Sequence, residues 1–162
     1  MIMKNFNFII IVWYVVLFAC AQHIQAQVAP QPVTELQITE SAFAQEHQFK
    51  VTMDSIIVDF TMYAETGPIR SRYARSISGN ERNKLLASFN KIYLSTLKSS
   101  YEGLTNTDHD WNYELFIKKG EYIRVIKIFK YKLQPMYILG NELNQLLPNS
   151  FKISYTDNYF KE

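Results

Sequence analysis

WNYELFIKKGEYIRVIKIFKYK, residues 111–132, carries the signals of both a helix and a β-hairpin. Arg124, Lys127 and Lys130 recur every third residue, as they would on one face of a helix. Against that stand Ile123, Val125, Ile126 and Ile128, whose branched Cβ atoms stiffen χ1 and suit a pleated surface. Lys118-Lys119-Gly120 supplies a turn, because Gly can take φ > 0, so the stretch predicts a β-hairpin. A three-residue loop, Lys118 to Gly120, would pair Ile117 with Glu121, Leu115 with Ile123 and Tyr113 with Val125. It would also set Glu114 opposite Arg124 as a cross-strand ion pair. Beyond Val125 the phase slips, since Ile126 and Ile128 abandon the odd positions, and a bulge or a strand covered on both faces is expected there.

Downstream, Pro135 suits the first turn of a helix whose stripe is Met136, Leu139, Leu143, Leu146 and Leu147. Pro148-Asn149-Ser150 stops it, and Phe151, Ile153 and Tyr155 read as a last short strand or an extended tail. Upstream, Ser78 and Glu81 stand in capping-box spacing, followed by Leu85, Leu86, Phe89, Ile92, Tyr93 and Leu97 at helical steps. That segment is expected to end at Glu102-Gly103, and residues 105–110 to form a loop. Still further upstream, Phe49, Val51 and Met53 alternate with polar residues, and Ile56, Val58, Phe60 and Met62 resume the alternation after Asp54-Ser55. Leu36 and Ile38 mark a short first strand, and residues 41–46 are ambiguous between loop and helical turn. After Thr66-Gly67-Pro68 a basic fourth strand, with Arg70, Arg72, Tyr73 and Arg75, ends near Ile77. The order is strands, helix, hairpin, helix. It predicts an α+β fold, a mainly antiparallel sheet with both helices on one face.

The core positions expected are Leu85, Phe89, Ile92, Leu139, Leu143 and Leu146. The layout resembles that of small secreted bacterial α+β domains of unknown function, over roughly residues 34–156. Leu143-Asn144-Gln145-Leu146-Leu147-Pro148 and the aromatic-rich close, Phe151 to Tyr155, are its most specific pieces. The element order is also similar to that of emfourin-type protease inhibitors, without a shared motif. The resemblance implies fold rather than chemistry.

Residues 1–26 read as an export signal: Lys4 gives the positive start and Phe8 to Ala19 a twelve-residue apolar run, short of the roughly 20 that span a bilayer. They are expected to form a helix outside the core. Two processing routes stay open. Ala26 fits ordinary signal-peptidase cleavage, whereas Leu17-Phe18-Ala19-Cys20 resembles a lipobox in which Cys20 would be lipidated. Residues 27–33, with Pro30 and Pro32, form an extended tether to a single domain over residues 34–160. Either route places the chain in the periplasm or cell envelope of a Gram-negative bacterium.

A chain of 162 residues allows one domain, and 48% hydrophobic against 20% charged residues excludes a disordered one. One Cys excludes a disulfide framework and any thiolate cluster. Asn106, Asp108, Asp110, Asn112 and Glu114 alternate like calcium ligands, but Trp111 and Ile117 hold the positions that need Gly and Glu. His109 and His47 belong to no metal-binding or triad spacing, and no G-x-S-x-G or phosphate-cradling loop occurs. Asp54, Asp59, Glu65 and Glu114 could serve a carboxylate-dependent hydrolase only if two of them converged across a cleft. No cofactor is expected.

Charge is asymmetric: residues 27–66 carry one Lys against six acids, residues 67–162 fifteen bases against nine. The basic hairpin interleaves Lys127 and Lys130 with Phe129 and Tyr131. Export argues against nucleic acid, and Lys on an outer strand face also keeps strands from adding to one another. The function expected is a non-enzymatic envelope module that binds a protein or a glycan, inhibition of an enzyme being one form. A structural or accessory lipoprotein anchored through Cys20 is the alternative, and a small hydrolase the third. The binding surface expected comprises Tyr63, Arg72 and Tyr73 with Lys127, Phe129, Lys130 and Tyr131, on strands that could be neighbours.

Overall fold

Period-2 alternation builds seven strands in the computed structural model, which describes residues 31–103 and 111–155. Strands β1 (Val33–Ala42), β2 (Gln45–Val51), β3 (Ser55–Ala64) and β4 (Gly67–Ser76) form an antiparallel meander. Helix α1 (Gly79–Asn90) follows, then a 3-10 turn at Leu94–Thr96 and the short β5 (Ser100–Glu102). The hairpin β6 (Asn112–Lys119) and β7 (Tyr122–Phe129) leads into α2 (Gln134–Leu146). The sheet order is β4-β3-β2-β1-β6-β7-β5, antiparallel throughout except between β5 and β7. The fold is α+β, as the alternation implied.

One face of this sheet carries Leu36, Ile38, Phe49, Val51, Ile56, Val58, Leu115, Ile117, Ile126 and Ile128, all buried in one core with Leu85, Leu86, Phe89, Leu139 and Leu143 of the helices. Both helices therefore lie on that face. Ile92 and Leu146, also expected inside, are only partly buried at its margin. Helix α1 stops at Asn90: Ile92 and Leu97 reach the core from the connection to β5, while Tyr93 turns to solvent. The capping box is present: Glu81 N–H donates to Ser78 Oγ and Ser78 N–H to Glu81 Oε2, at 3.3 and 2.8 Å.

The predicted hairpin is real and its predicted register is wrong. The turn is the two-residue Gly120-Glu121, with Gly120 at φ 55°, the glycine-first turn whose twist matches a hairpin. Lys119 therefore faces Tyr122, Ile117 faces Arg124, Leu115 faces Ile126 and Glu114 faces Lys127. In this register the even residues of β7 point to the core, and the apparent phase slip at Ile126 disappears. The β6–β7 ladder runs unbroken; the one irregularity on β6 lies against β1, between Val33 and Glu35. The three-residue loop failed because it kept Lys119 in the turn. Lys119 is instead buried, with Nζ donating to the carbonyls of Asn90, the last residue of α1, and Ile92 just after it, at 3.3 and 2.6 Å.

Val33, assigned to the tether, is the buried first residue of β1, tied to α1 through Asn90 Oδ1 and the Arg82 guanidinium. Residues 41–46 are the end of β1, a Phe43-Ala44 turn and the start of β2. Ser100–Glu102, read as the end of a helical segment, is a strand parallel to β7. Gly103 ends it against the backbone of Lys130, where a Cβ would stand 1.9 Å from the carbonyl oxygen. The close after α2 is a 3-10 turn (Asn149–Phe151) followed by an extended tail, not a strand. Asn144 holds it by pairing its amide with both backbone groups of Ile153, at 2.8 and 3.0 Å. The expected signal helix, Cys20, Ala26 and residues 105–110 lie outside the described residues.

Candidate binding face of the sheet

Strand alternation puts on the outer face whatever does not point at the helices. Along β7 those residues are Ile123, Val125, Lys127 and Phe129, and along β6 they are Asn112, Glu114, Phe116 and Lys118. Ile123 is 57% and Val125 43% exposed, while Phe116 and Phe129 are half-buried beside them. Registers align these side chains into rows across the strands. One row is Ser41, Asn112, Phe129 and Glu102; the next is Thr39, Glu114, Lys127 and Ser100. The two rows floor a shallow groove of about 610 Å³. Glu114 and Lys127 are direct cross-strand partners, yet the ion pairs among the described residues include neither of them, nor Glu102.

The structure divides the expected binding residues. Lys127 and Phe129 share the outer face of β7. Lys130 follows at φ 46°, where the chain leaves the sheet, and Tyr131 is 40% exposed beside Tyr101, their rings 5.0 Å apart. Tyr63 and Arg72 are also on the outer face, but on β3 and β4. Arg72 Nε lies 3.6 Å from Asp59 Oδ1. Tyr73 points the other way, to the helix side, and stacks on Phe151 at 5.4 Å. β3 and β7 are separated by β2, β1 and β6, about 19 Å at the usual inter-strand spacing. The two groups are not neighbours.

The four carboxylates do not converge either. Asp54 sits in the β2–β3 turn, bonded to Thr52 and Ser55, and Glu65 is in the turn at the far end of β3. Asp59 and Glu114 share the outer face with two strands between them. His109 lies outside the described residues, and among the described ones no group of three or more potential metal ligands gathers.

A polar pair the sequence argument passed over lies on the inner face. Glu40 is fully buried and faces His47 across β1 and β2, with Oε1 2.5 Å from Nδ1. Its Oε2 accepts the backbone N–H of Ser154 at 2.9 Å. The His47 ring lies between Phe60 and Trp111, at 4.7 and 5.7 Å. The signal was available: Glu40 keeps phase with Leu36 and Ile38, and His47 with Phe49 and Val51, so both belong to the core face. The pair ties the C-terminal tail to the sheet.

Fold and face together define a class: an α+β domain whose mainly antiparallel sheet is covered by helices, among the described residues, on one side only. No protein-family profile matches the chain, and no curated protein is significantly similar to it. No helix among the described residues is long and apolar enough to cross a membrane.

Proposed function

We propose that the chain is an exported cell-envelope module without enzymatic activity that binds a protein partner through the outer face of β6 and β7. The observation that supports this is the exposure of Ile123 and Val125 together, flanked by Phe116 and Phe129, on the face the helices leave uncovered. Contiguous exposed apolar residues rimmed by charge mark interaction surfaces, whereas scattered ones mean little. The rim here is Lys118, Lys127 and Glu114. The reading needs export, which rests on residues 1–26.

The test is capture from the chain's own envelope fraction, with the domain from residue 27 as bait. Lys127→Glu with Phe129→Ala and Lys130→Glu should weaken recovery of a specific partner and leave the thermal midpoint unchanged. Aromatic and aliphatic contacts should hold that partner through moderate salt, while lysine-driven adhesion would be screened away. Equal capture by the triple variant would place the working surface elsewhere. Fractionation of the chain into membranes that is lost in Cys20→Ala would identify it as an anchored lipoprotein.

A further inference from the structure

Lys127 N–H donates to Ser99 O, and Phe129 O accepts from Gly103 N–H. These bonds fix which way the backbone of β7 faces. In a strand, N–H and C=O of one residue point to the same side, and successive residues alternate. Odd residues of β7 therefore face away from β6. From Lys127 onward β5 meets them; at Ile123 and Val125, among the described residues, no backbone partner does. The same two residues carry the most exposed aliphatic side chains of the outer face of this hairpin.

The opposite edge of the sheet shows what protection looks like here. Ile77 N–H donates to Asp54 O, so odd residues of the β4 lane bond β3 and even ones face solvent. Those even positions hold Pro68, which has no N–H, then Arg70 and Arg72, both exposed. Proline and charge are the usual means of blunting an edge. The lane-facing positions in the first half of β7 have neither: they are the β-branched Ile123 and Val125.

We propose that this uncovered half, Tyr122 to Ile126, accepts an extended segment of a protein partner as an added strand. This rests on the protein-binding function proposed above and specifies its chemistry. The lane runs from the Gly120-Glu121 turn to Ser99, about five residues or ~17 Å. Its backbone groups recognise polypeptide. Side chains on the added strand beside Ile123 and Val125 are apolar and lie on the open face. The one between them faces Arg124, whose guanidinium donates to Leu97 O, leaves Nε buried without a partner, and joins none of the ion pairs among the described residues. That position takes a carboxylate. The recognised pattern is apolar, acidic, apolar. A second copy of β7 is a poor occupant, because pairing the same five residues antiparallel sets Arg124 opposite its symmetry mate.

The experiment titrates the isotope-labelled full chain with terminally blocked peptides Thr-Val-X-Val-Thr, where X is Glu or Lys, and follows backbone amides by NMR. The Glu peptide should shift Ile123 and Val125 and bind at least about tenfold tighter than the Lys peptide. Arg124→Glu should reverse that preference. Val125→Pro should abolish both, since it removes a lane-facing N–H and no bond of the β6–β7 ladder. Equal binding of the two peptides, or none, overturns the proposal. So does self-association that Val125→Pro removes, which would make a second copy the occupant. If peptides fail while partner capture still depends on Lys127 and Phe129, strand addition falls and the binding function stands. If both fail, both fall.

Discussion

Glu81 is where one side chain does two jobs. It closes the α1 capping box through Ser78 and reaches Arg75, with Arg75 NH2 donating to Oε1 at 2.6 Å. The Ser78 backbone N–H, then the Ser78 hydroxyl, hold its pKa below the ordinary 4.5 against an opposing desolvation, with a lesser contribution from Arg75. The unfolded chain therefore takes up the proton first as pH falls. The stabilisation is fully present above pH 4.5 and is lost as pH drops through the lower folded value. Glu81→Gln should flatten the acid limb of the stability profile in that window; an unchanged limb would mean the carboxylate is idle. Ser78→Ala should cost about 1 kcal/mol by denaturant titration. Glu40 bears more. Glu40→Leu leaves the Ser154 N–H and the His47 ring without their acceptor, so the loss should be about 3–5 kcal/mol. Faster hydrogen exchange at Ser154 should accompany it; a tail that stays protected would show that Asn144 holds it alone.

At the scale of elements, helix α2 owes its position to its apolar stripe. Met136, Leu139 and Leu143 are fully buried, so Leu143→Ala should cost about 2–5 kcal/mol in thermal or denaturant unfolding. A loss below about 1 kcal/mol would make α2 peripheral. Elements with a strong local signal were legible in the sequence. The S-x-x-E box and alternating runs such as Phe49, Val51 and Ile56, Val58 need no distant partner to be read. Register was not legible, because it depends on which side of a turn one lysine falls. A charged residue is placed by default in solvent, and Lys119 is buried because two carbonyls at the end of α1 accept it. Burial lowers its pKa by desolvating the ammonium. β5 was hidden for a similar reason: a three-residue strand has no period, and only Gly103 at the Lys130 backbone and the pairing with β7 define it. The candidate surface was half visible. Lys127 and Phe129 fall together, but sequence cannot place β3 four lanes from β7.

The molecule as a whole is an asymmetric layer. Among the described residues, helices close one face of seven strands, nothing covers the outer face, and the two edges differ. β4 ends the sheet with Pro68, Arg70 and Arg72 turned to solvent, while at the other end β5 covers only Lys127 to Phe129 of β7, beyond Ile123 and Val125. An apolar strand edge left unprotected is a site for another strand, and in a protein that remains a monomer it implies a partner. The account therefore stands on the backbone of β7 being free where its side chains are exposed. Residue-resolved amide hydrogen exchange of the full chain measures this directly. Ile123 and Val125 should exchange rapidly, while Arg124 and Ile126, which face β6, and Lys127, held by Ser99, should be protected. Slow exchange at Ile123 and Val125 in the free chain would show that the lane is already filled, and would contradict the account.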